Sequence, residues 1–305
     1  MTAKPAFAAI VRTTGARPQG LDEALQSIRL QELACVPVVV VHGGAEVLER
    51  VRGRCPGVTL LHAPDTSRRL GYPMNIGLRH CLQDPAIQYV FLLDDDDVIY
   101  PFFTRVMADA FEATASDVIY ARSNKREPGV SPVAAFAQRG PEYLAHENFI
   151  ANNGFAVRAS ALRECGVMAG EHMQYLDDWH FLLHLLEAGL RFHPFADTLS
   201  EFRIVKDADL VHRRDMETWK ANREAVRAYV NRTSFRMPGS ALALQSVGLG
   251  SSPEEGSRVA DQLRIAALRK RVEELESSLS WRWMAPARRI LGAWLRLTRG
   301  GRARQ

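Results

Sequence analysis

The chain has 305 residues, 47% of them hydrophobic and 24% charged, with a formal net charge of +4. These are ordinary proportions for a globular protein, and the length allows one large α/β domain or one domain with an appendage. No window of about 20 apolar residues occurs, which excludes a membrane-spanning helix, and Cys35, Cys55, Cys81 and Cys165 are too far apart for a Cys-x-x-Cys zinc site. The opening Met1-Thr2-Ala3-Lys4-Pro5 leads into a strand rather than a secretory signal. Reduced thiols and a cytoplasmic location are the expectation.

In chain order, residues 7–11 form a short apolar run suited to a central strand, and residues 21–31 read as a helix with Leu21, Leu25 and Ile28 on one face. The β-branched run 36–41, broken only by Pro37, reads as a strand buried on both faces and ended by Gly43-Gly44. Residues 45–52 read as a second helix stopped by Gly53, and 58–62 as a third strand. A helix over 75–82, a strand over 89–93, a helix over 101–113 with Pro101 near its first turn, and a strand over 118–121 follow. Residues 124–148 carry Gly, Pro and polar residues and read as a mobile loop over the site. Then come a strand over 155–157, a short helix over 160–165, a helix over 177–188 closed by Gly189, a strand over 190–195 and a helix over 215–231. Strands alternating with helices at this spacing predict a largely parallel, doubly wound sheet. A Ser-, Gly- and Pro-rich linker over 233–256 separates this domain, 1–232, from a tail over 257–305.

The most informative segment is Phe91-Leu92-Leu93-Asp94-Asp95-Asp96-Asp97. A buried strand that opens into four carboxylates puts hard oxygen ligands at the carboxyl edge of a sheet, where open α/β sheets bind ligands. Adjacent carboxylates repel one another unless a cation neutralises them. A divalent ion with a phosphate-bearing substrate would relieve that repulsion. In isolation such a run reads equally as a solvated turn capping the next helix.

Other features align with it in order. The first strand ends in Arg12-Thr13-Thr14-Gly15-Ala16-Arg17-Pro18. Gly71-Tyr72-Pro73-Met74-Asn75-Ile76-Gly77-Leu78 precedes the acidic run. Asn153-Gly154-Phe155-Ala156-Val157-Arg158 and then Leu176-Asp177-Asp178-Trp179, with Gly189, follow it. This series, spanning residues 6–203, resembles the GT-A glycosyltransferases of family 2, which are inverting enzymes that use nucleotide-sugars. The resemblance implies a GT-A, Rossmann-like, doubly wound mixed sheet with a C-terminal helical appendage. It also implies a nucleotide-diphosphate sugar donor, a divalent cation (manganese or magnesium), and a glycan or lipid-linked saccharide acceptor in surface polysaccharide synthesis.

Carried over residue by residue, Asp94, Asp95 and Asp96 match the family's Asp-any-Asp pattern. Asp96 then corresponds to the metal ligand and Asp94 to the residue near the ribose or the metal. Asp97 takes the ligand role if the register moves by one, or caps the next helix. The second pair, Asp177-Asp178, stands where the family has Glu-Asp, which makes Asp178 the general base; Asp177 is shorter by a methylene than the usual Glu, and Trp179 follows. A carboxylate within hydrogen-bond reach takes the proton of a sugar hydroxyl as it attacks. Outside that context the pair reads as acids complementing a helix N-terminus.

For the nucleotide, Thr13 and Arg17 match the family's first loop. His42 stands at the end of the second strand, where the family has Asp, and Asp65 after the third strand is a substitute contact. Asn75 matches the Asn of an Arg-Asn-any-Gly pattern, with Met74 in place of Arg; a basic role there falls to Arg68 or Arg69. Arg203, Lys206, His212, Arg213 and Arg214 lie on a polar stretch suited to closing over a diphosphate, where such groups stabilise a leaving oxyanion, and equally read as solvated surface charge. No Gly-rich Walker loop and no Gly-x-Gly-x-x-Gly after the first strand occurs, which disfavours a P-loop or dinucleotide-binding protein.

In the tail, Ile265, Leu268, Val272, Leu275 and Leu279 form a short heptad pattern that can pair with a second copy or fold back. From Ser280 onward there are seven arginines and no acidic residue, with Trp281, Trp283 and Trp294 among them. That mixture suits a lipid headgroup interface, hence peripheral contact with the inner face of a membrane; a helix docked on the protein's own surface is the competing reading. Nothing resembles a nucleic-acid module. A non-catalytic, nucleotide-binding scaffold with an interaction tail is the alternative function.

Overall fold

The structure, a computed structural model, describes residues 7–64, 69–127, 129, 132–135, 139–204 and 215–235. The first strand, β1 (Phe7–Thr13), is buried along its whole length. Its side chains alternate between two faces. Ala8 and Ile10 join one apolar core, and Phe7, Ala9 and Val11 join another on the opposite side of the sheet.

The other strands are β2 (Cys35–His42), β3 (Thr59–Ala63), β4 (Tyr89–Asp94), β5 (Val98–Ile99), β6 (Val118–Arg126), β7 (Val133–Ala135), β8 (Phe155–Arg158) and β9 (Phe192–Arg203). They form one nine-stranded sheet in the order β3-β2-β1-β4-β8-β6-β9-β5, with β7 pairing with β6 off that path. The stretch β3-β2-β1-β4 is parallel throughout. Beyond it, β8 runs antiparallel to both β4 and β6, β6 and β9 are parallel, and β5 and β7 pair antiparallel. The sheet is thus mixed and GT-A-like rather than largely parallel. The reversal comes from β8 inserting between β4 and β6.

One face is covered by α1 (Pro18–Arg29), α2 (Ala45–Arg52) and α4 (Phe103–Ala113), through Leu21, Leu25, Val51, Phe103 and Met107 among others. The other is covered by α3 (Gly71–Gln83), α5 (Ala159–Cys165), α6 (Asp177–Glu187) and α7 (Met216–Arg232). Helices α1 and α3 begin earlier than their apolar periodicity indicates. In α1, Pro18 occupies the first turn, where its missing N–H costs nothing. Gly189 after α6 is left-handed at φ 79, as its place beyond a helix end leads one to expect. The Asp215 side chain caps α7 by accepting from the Glu217 and Thr218 backbone N–H groups.

The stretch 124–148 is not one loop. β6 runs on to Arg126, Val133–Ala135 adds a strand, and Pro141–Ala145 forms a turn of 3-10 helix. β9 is likewise longer than the apolar run that marks it, because its second half pairs with β6 through polar residues. No described helix is long and apolar enough to cross a membrane. Residues 236–305, which include most of the linker, the heptads and the basic tail, lie outside the described residues.

Candidate active site

The parallel strands deliver their carboxyl ends to one edge, and the acidic residues gather there. In the β1–β4 register Arg12 stands directly opposite Asp94. Arg12 Nε and Nη2 donate to Asp94 Oδ1 at 3.1 and 2.8 Å, while Nη1 donates to the Leu70 carbonyl at 3.2 Å and to Asp177. Asn152 Nδ2 donates to the other Asp94 oxygen at 3.1 Å. Burial alone would lower the proton affinity of Arg12, but the charges of Asp177 and Asp94 outweigh it and hold the guanidinium firmly protonated. Asp94 is the mirror case: burial works against its charge, and the Arg12 charge wins and lowers its pKa.

After Asp94 the chain turns sharply, with the Asp97 N–H donating to the Asp94 carbonyl at 3.1 Å. Thr13 Oγ1 donates to Asp95 Oδ2 at 2.5 Å and accepts from the Gly15 N–H, so one hydroxyl fixes both the acidic turn and the first loop. Arg17, at the N-cap of α1, pairs with Asp95 Oδ1 at 2.6 Å and with Asp96. Asp95 is fully buried, whereas Asp96 keeps 17% of its side chain exposed. Burial, then the charges of Asp94 and Asp95, push the Asp96 carboxyl up to about 7 against the opposing pull of Arg17.

Asp97 points elsewhere. Its Oδ1 accepts from the Arg203 backbone N–H at 3.0 Å, and it is 2% exposed. It joins the acidic turn to β9 and caps no helix, since α4 starts only at Phe103. The Arg203 guanidinium is engaged with Glu201 at 2.9 Å and with Glu23. Gly20 of α1 lies so close beneath the turn that a Cβ there would sit 2.5 Å from the Asp95 carbonyl oxygen.

The second acidic pair opens α6. Asp177 is 3% exposed and is held by Arg12; burial raises its pKa although Arg12 opposes the rise. Asp178 is half-buried, and burial followed by the charge of Asp177 pushes it up to about 7. Asn148 Nδ2 donates to Asp178 Oδ2 at 2.9 Å. Trp179 is 4% exposed and its indole N–H donates to the Leu144 carbonyl at 2.7 Å. Trp179 is therefore an anchor between α6 and the segment that carries Asn148.

The remaining nucleotide candidates are dispersed. His42 is buried at the end of β2, where β1 and β3 flank it. Asn75 is 1% exposed, and its amide donates to the Ala169 carbonyl at 3.0 Å and to Glu171 at 3.1 Å, and accepts from the Ala169 N–H. Those bonds clamp α3 to the 169–171 segment. Asp65, Arg68, Lys206, His212, Arg213 and Arg214 lie outside the described residues.

Four carboxylates, Asp94, Asp95, Asp96 and Asp177, pair with the two guanidinium groups of Arg12 and Arg17, and Asp97 and Asp178 stand next to them in the chain. Within the acidic turn, Asp96 is the member that combines partial exposure with a raised pKa, the state an added positive charge would relieve. Among the described residues no three His, Cys, Asp or Glu side chains converge as a preformed cage. An ion held by one or two carboxylates together with substrate phosphates, the usual manner of magnesium, needs no such cage. The residues fit the cation.

Three site residues escape a reading of the sequence for function: Arg12, Asn148 and Asn152. Arg12 carried a usable signal, a guanidinium directly following a fully apolar strand. The two asparagines carried none, because they flank the apolar Phe149 and Ile150 in no periodic pattern.

Comparison with known proteins bears on the family and the fold. The family model described as glycosyl transferase family 2 matches residues 9–163. Among solved structures, S. aureus TarS 1–349 in complex with UDP-GlcNAc superposes with a TM-score of 0.57 at 16% identity, covering 75% of this chain and 68% of that one. TarS 1–349 on its own gives 0.55 at 16% identity, covering 75% and 66%. The longer S. aureus TarS chain gives 0.55 at 16% identity over 82% of this chain and 46% of its own length, so the present chain spans less than half of it. No curated protein sequence matches. At such identities the structural likeness speaks for the fold, and the family model, covering just over half of the chain, speaks for descent. The chain belongs to glycosyl transferase family 2 and folds as a GT-A glycosyltransferase.

Proposed function

We propose that the protein transfers a sugar, with inversion, from a nucleotide-diphosphate sugar to a hydroxyl of a glycan or lipid-linked saccharide, with a manganese or magnesium ion at Asp96. The observation that carries this reading is Asp178. It is a half-buried carboxylate at the start of α6 whose pKa is lifted to about 7, and Arg12 joins its neighbour Asp177 to the acidic turn. A base poised near the working pH is what abstraction of a sugar-hydroxyl proton needs. TarS in complex with UDP-GlcNAc, sharing the fold, supports a nucleotide-sugar donor and makes UDP-GlcNAc the first one to try.

In this reading Asp178 takes the proton of the acceptor hydroxyl while that oxygen attacks the anomeric carbon from the face opposite the diphosphate, and the configuration inverts. Asp94 and Asp95 shape the donor side, with Asp95 held by Thr13 and Arg17. Arg17 adds positive charge beside the position where negative charge develops. His42 lies at the nucleotide end of the same edge. A bound cation would act as a Lewis acid toward the departing diphosphate. The basic, tryptophan-bearing tail would bring the enzyme to an anionic membrane carrying a lipid-linked acceptor, and the heptads would pair two copies.

The test is release of nucleoside diphosphate from a panel of nucleotide-sugars, UDP-GlcNAc first, with and without manganese, in wild type and Asp178→Asn. Metal-stimulated release from one donor, reduced at least a hundredfold in the variant, is the expected result. A variant as active as wild type would remove Asp178 from the mechanism.

A further inference from the structure

The segment between the 3-10 turn and β8 touches α6 at two points. Trp179 holds its beginning through the Leu144 carbonyl. Four residues on, Asn148 Nδ2 donates to Asp178 Oδ2 at 2.9 Å. Phe149 and Ile150, buried at 6% and 1% exposure, root the same segment in the core.

The orientation of the Asn148 amide is set independently of Asp178. Its Oδ1 accepts from the Ile150 backbone N–H at 3.2 Å. Turned the other way, the amide would set its NH₂ against that N–H and its oxygen against a carboxylate, two repulsions in place of two bonds. The NH₂ is therefore fixed on Asp178 Oδ2.

We propose that Asn148 is a positioning residue for the acceptor base, holding Asp178 Oδ2 so that Oδ1 meets the acceptor hydroxyl. This rests on Asp178 as that base. The charged groups acting on Asp178 are Asp177 on its own helix and Arg12 from β1; the neutral donors are the Trp179 backbone N–H and, from the third side, the Asn148 amide. A hydrogen bond to the ionised form favours that form. Asn148 therefore moderates a proton affinity that burial and Asp177 drive upward, and keeps part of the base ionised at neutral pH.

Asn148→Asp is the sharpest variant. It keeps an oxygen for the Ile150 N–H and replaces only the donor that faces Asp178. Two carboxylates at that spacing share a proton. The readout is the titration of Asp178 by NMR of protein labelled at its aspartate carboxyls, with the Asp178 signal identified by its loss in Asp178→Asn. UDP release from UDP-GlcNAc is followed over the same pH range. The expected result is an Asp178 midpoint raised by about one pH unit or more, hence release at pH 7 slower by about fivefold or more that recovers at higher pH, with UDP binding unchanged. Asn148→Ala, which adds no charge, should move the midpoint in the same direction by less, and it carries the test should the aspartate variant not fold. An Asp178 midpoint and a release rate unmoved in the folded variant would overturn the proposal. Wild-type release in Asp178→Asn would instead overturn the base assignment, so the two failures are distinct.

Discussion

Arg12 Nη2 lies 2.8 Å from Asp94 Oδ1, and strand register puts it there: the two residues are direct partners across parallel β1 and β4. The same guanidinium reaches Asp177 at the start of α6. One buried cation thus joins the carboxylate at the donor edge to the helix that presents the base. Its charge favours the ionised form of both acids, against the burial that opposes it.

Arg12→Gln should therefore be costly. It strands the buried Asp177 and takes a counter-charge from the partly exposed Asp94, and breaking a buried pair from one side typically costs about 3–5 kcal/mol. Adding Asp177→Asn should restore part of the loss, because the second substitution removes the stranded charge. Chemical denaturation of the single and double variants measures both quantities. A double variant less stable than Arg12→Gln alone would contradict the pairing.

The raised pKa of Asp178 makes a signed prediction about stability. An acid whose folded pKa, about 7, lies above its unfolded value binds more protons in the folded state between those limits. Its contribution to stability is complete below the unfolded pKa and is lost as pH rises through about 7. Asp178→Asn should accordingly unfold later than wild type at pH 8, by on the order of 1–2 kcal/mol after allowance for solvent at a half-buried group. The difference should vanish near pH 4. Equal midpoints at both pH values would mean that Asp178 carries no such strain.

Gly20 lies under the acidic turn, and an added Cβ would meet the Asp95 carbonyl oxygen, a backbone atom, at 2.5 Å. Gly20→Ala should push the turn outward and disturb the pairing of Arg17 with Asp95 and Asp96. A loss of about 1–3 kcal/mol is the usual scale of such overpacking. Calorimetric titration with UDP and manganese should show weaker binding as well. Unchanged affinity in this variant would separate the turn from the donor site.

Trp179→Phe keeps the ring packing but removes the donor to the Leu144 carbonyl. Leaving that buried acceptor unpaired should cost about 1–3 kcal/mol, and hydrogen exchange should rise first in residues 141–150. A substrate-contacting Trp179 would instead show its effect in KM with stability unchanged.

Much of this was legible in the chain. The strand cores β1, β2 and β4 announce themselves as apolar runs, and α2 and α6 by periodicity and flanking glycines. β5 and β7, of two and three residues, are too short to carry a period and exist because β9 and β6 offer them hydrogen bonds. The acidic residues could be named from sequence, but the partners that hold each of them could not. Asp97 is drawn to the Arg203 backbone and Asp94 to Arg12 by contacts 106 and 82 positions apart. Trp179 and Asn75 stand in motif positions, yet their polar atoms hold backbone carbonyls. Arg12 to Asp177, 165 positions apart, is visible only once the sheet edge is assembled.

The most direct measurement is the thermal midpoint of the purified protein with each nucleoside diphosphate, with and without manganese or magnesium. A ligand that binds only the folded state raises the midpoint as its concentration exceeds its dissociation constant. The account predicts a metal-dependent rise with one diphosphate that is lost in Asp96→Ala and kept in Asp178→Ala. A rise that survives in Asp96→Ala, or no rise with any diphosphate in the presence of either metal, would contradict it.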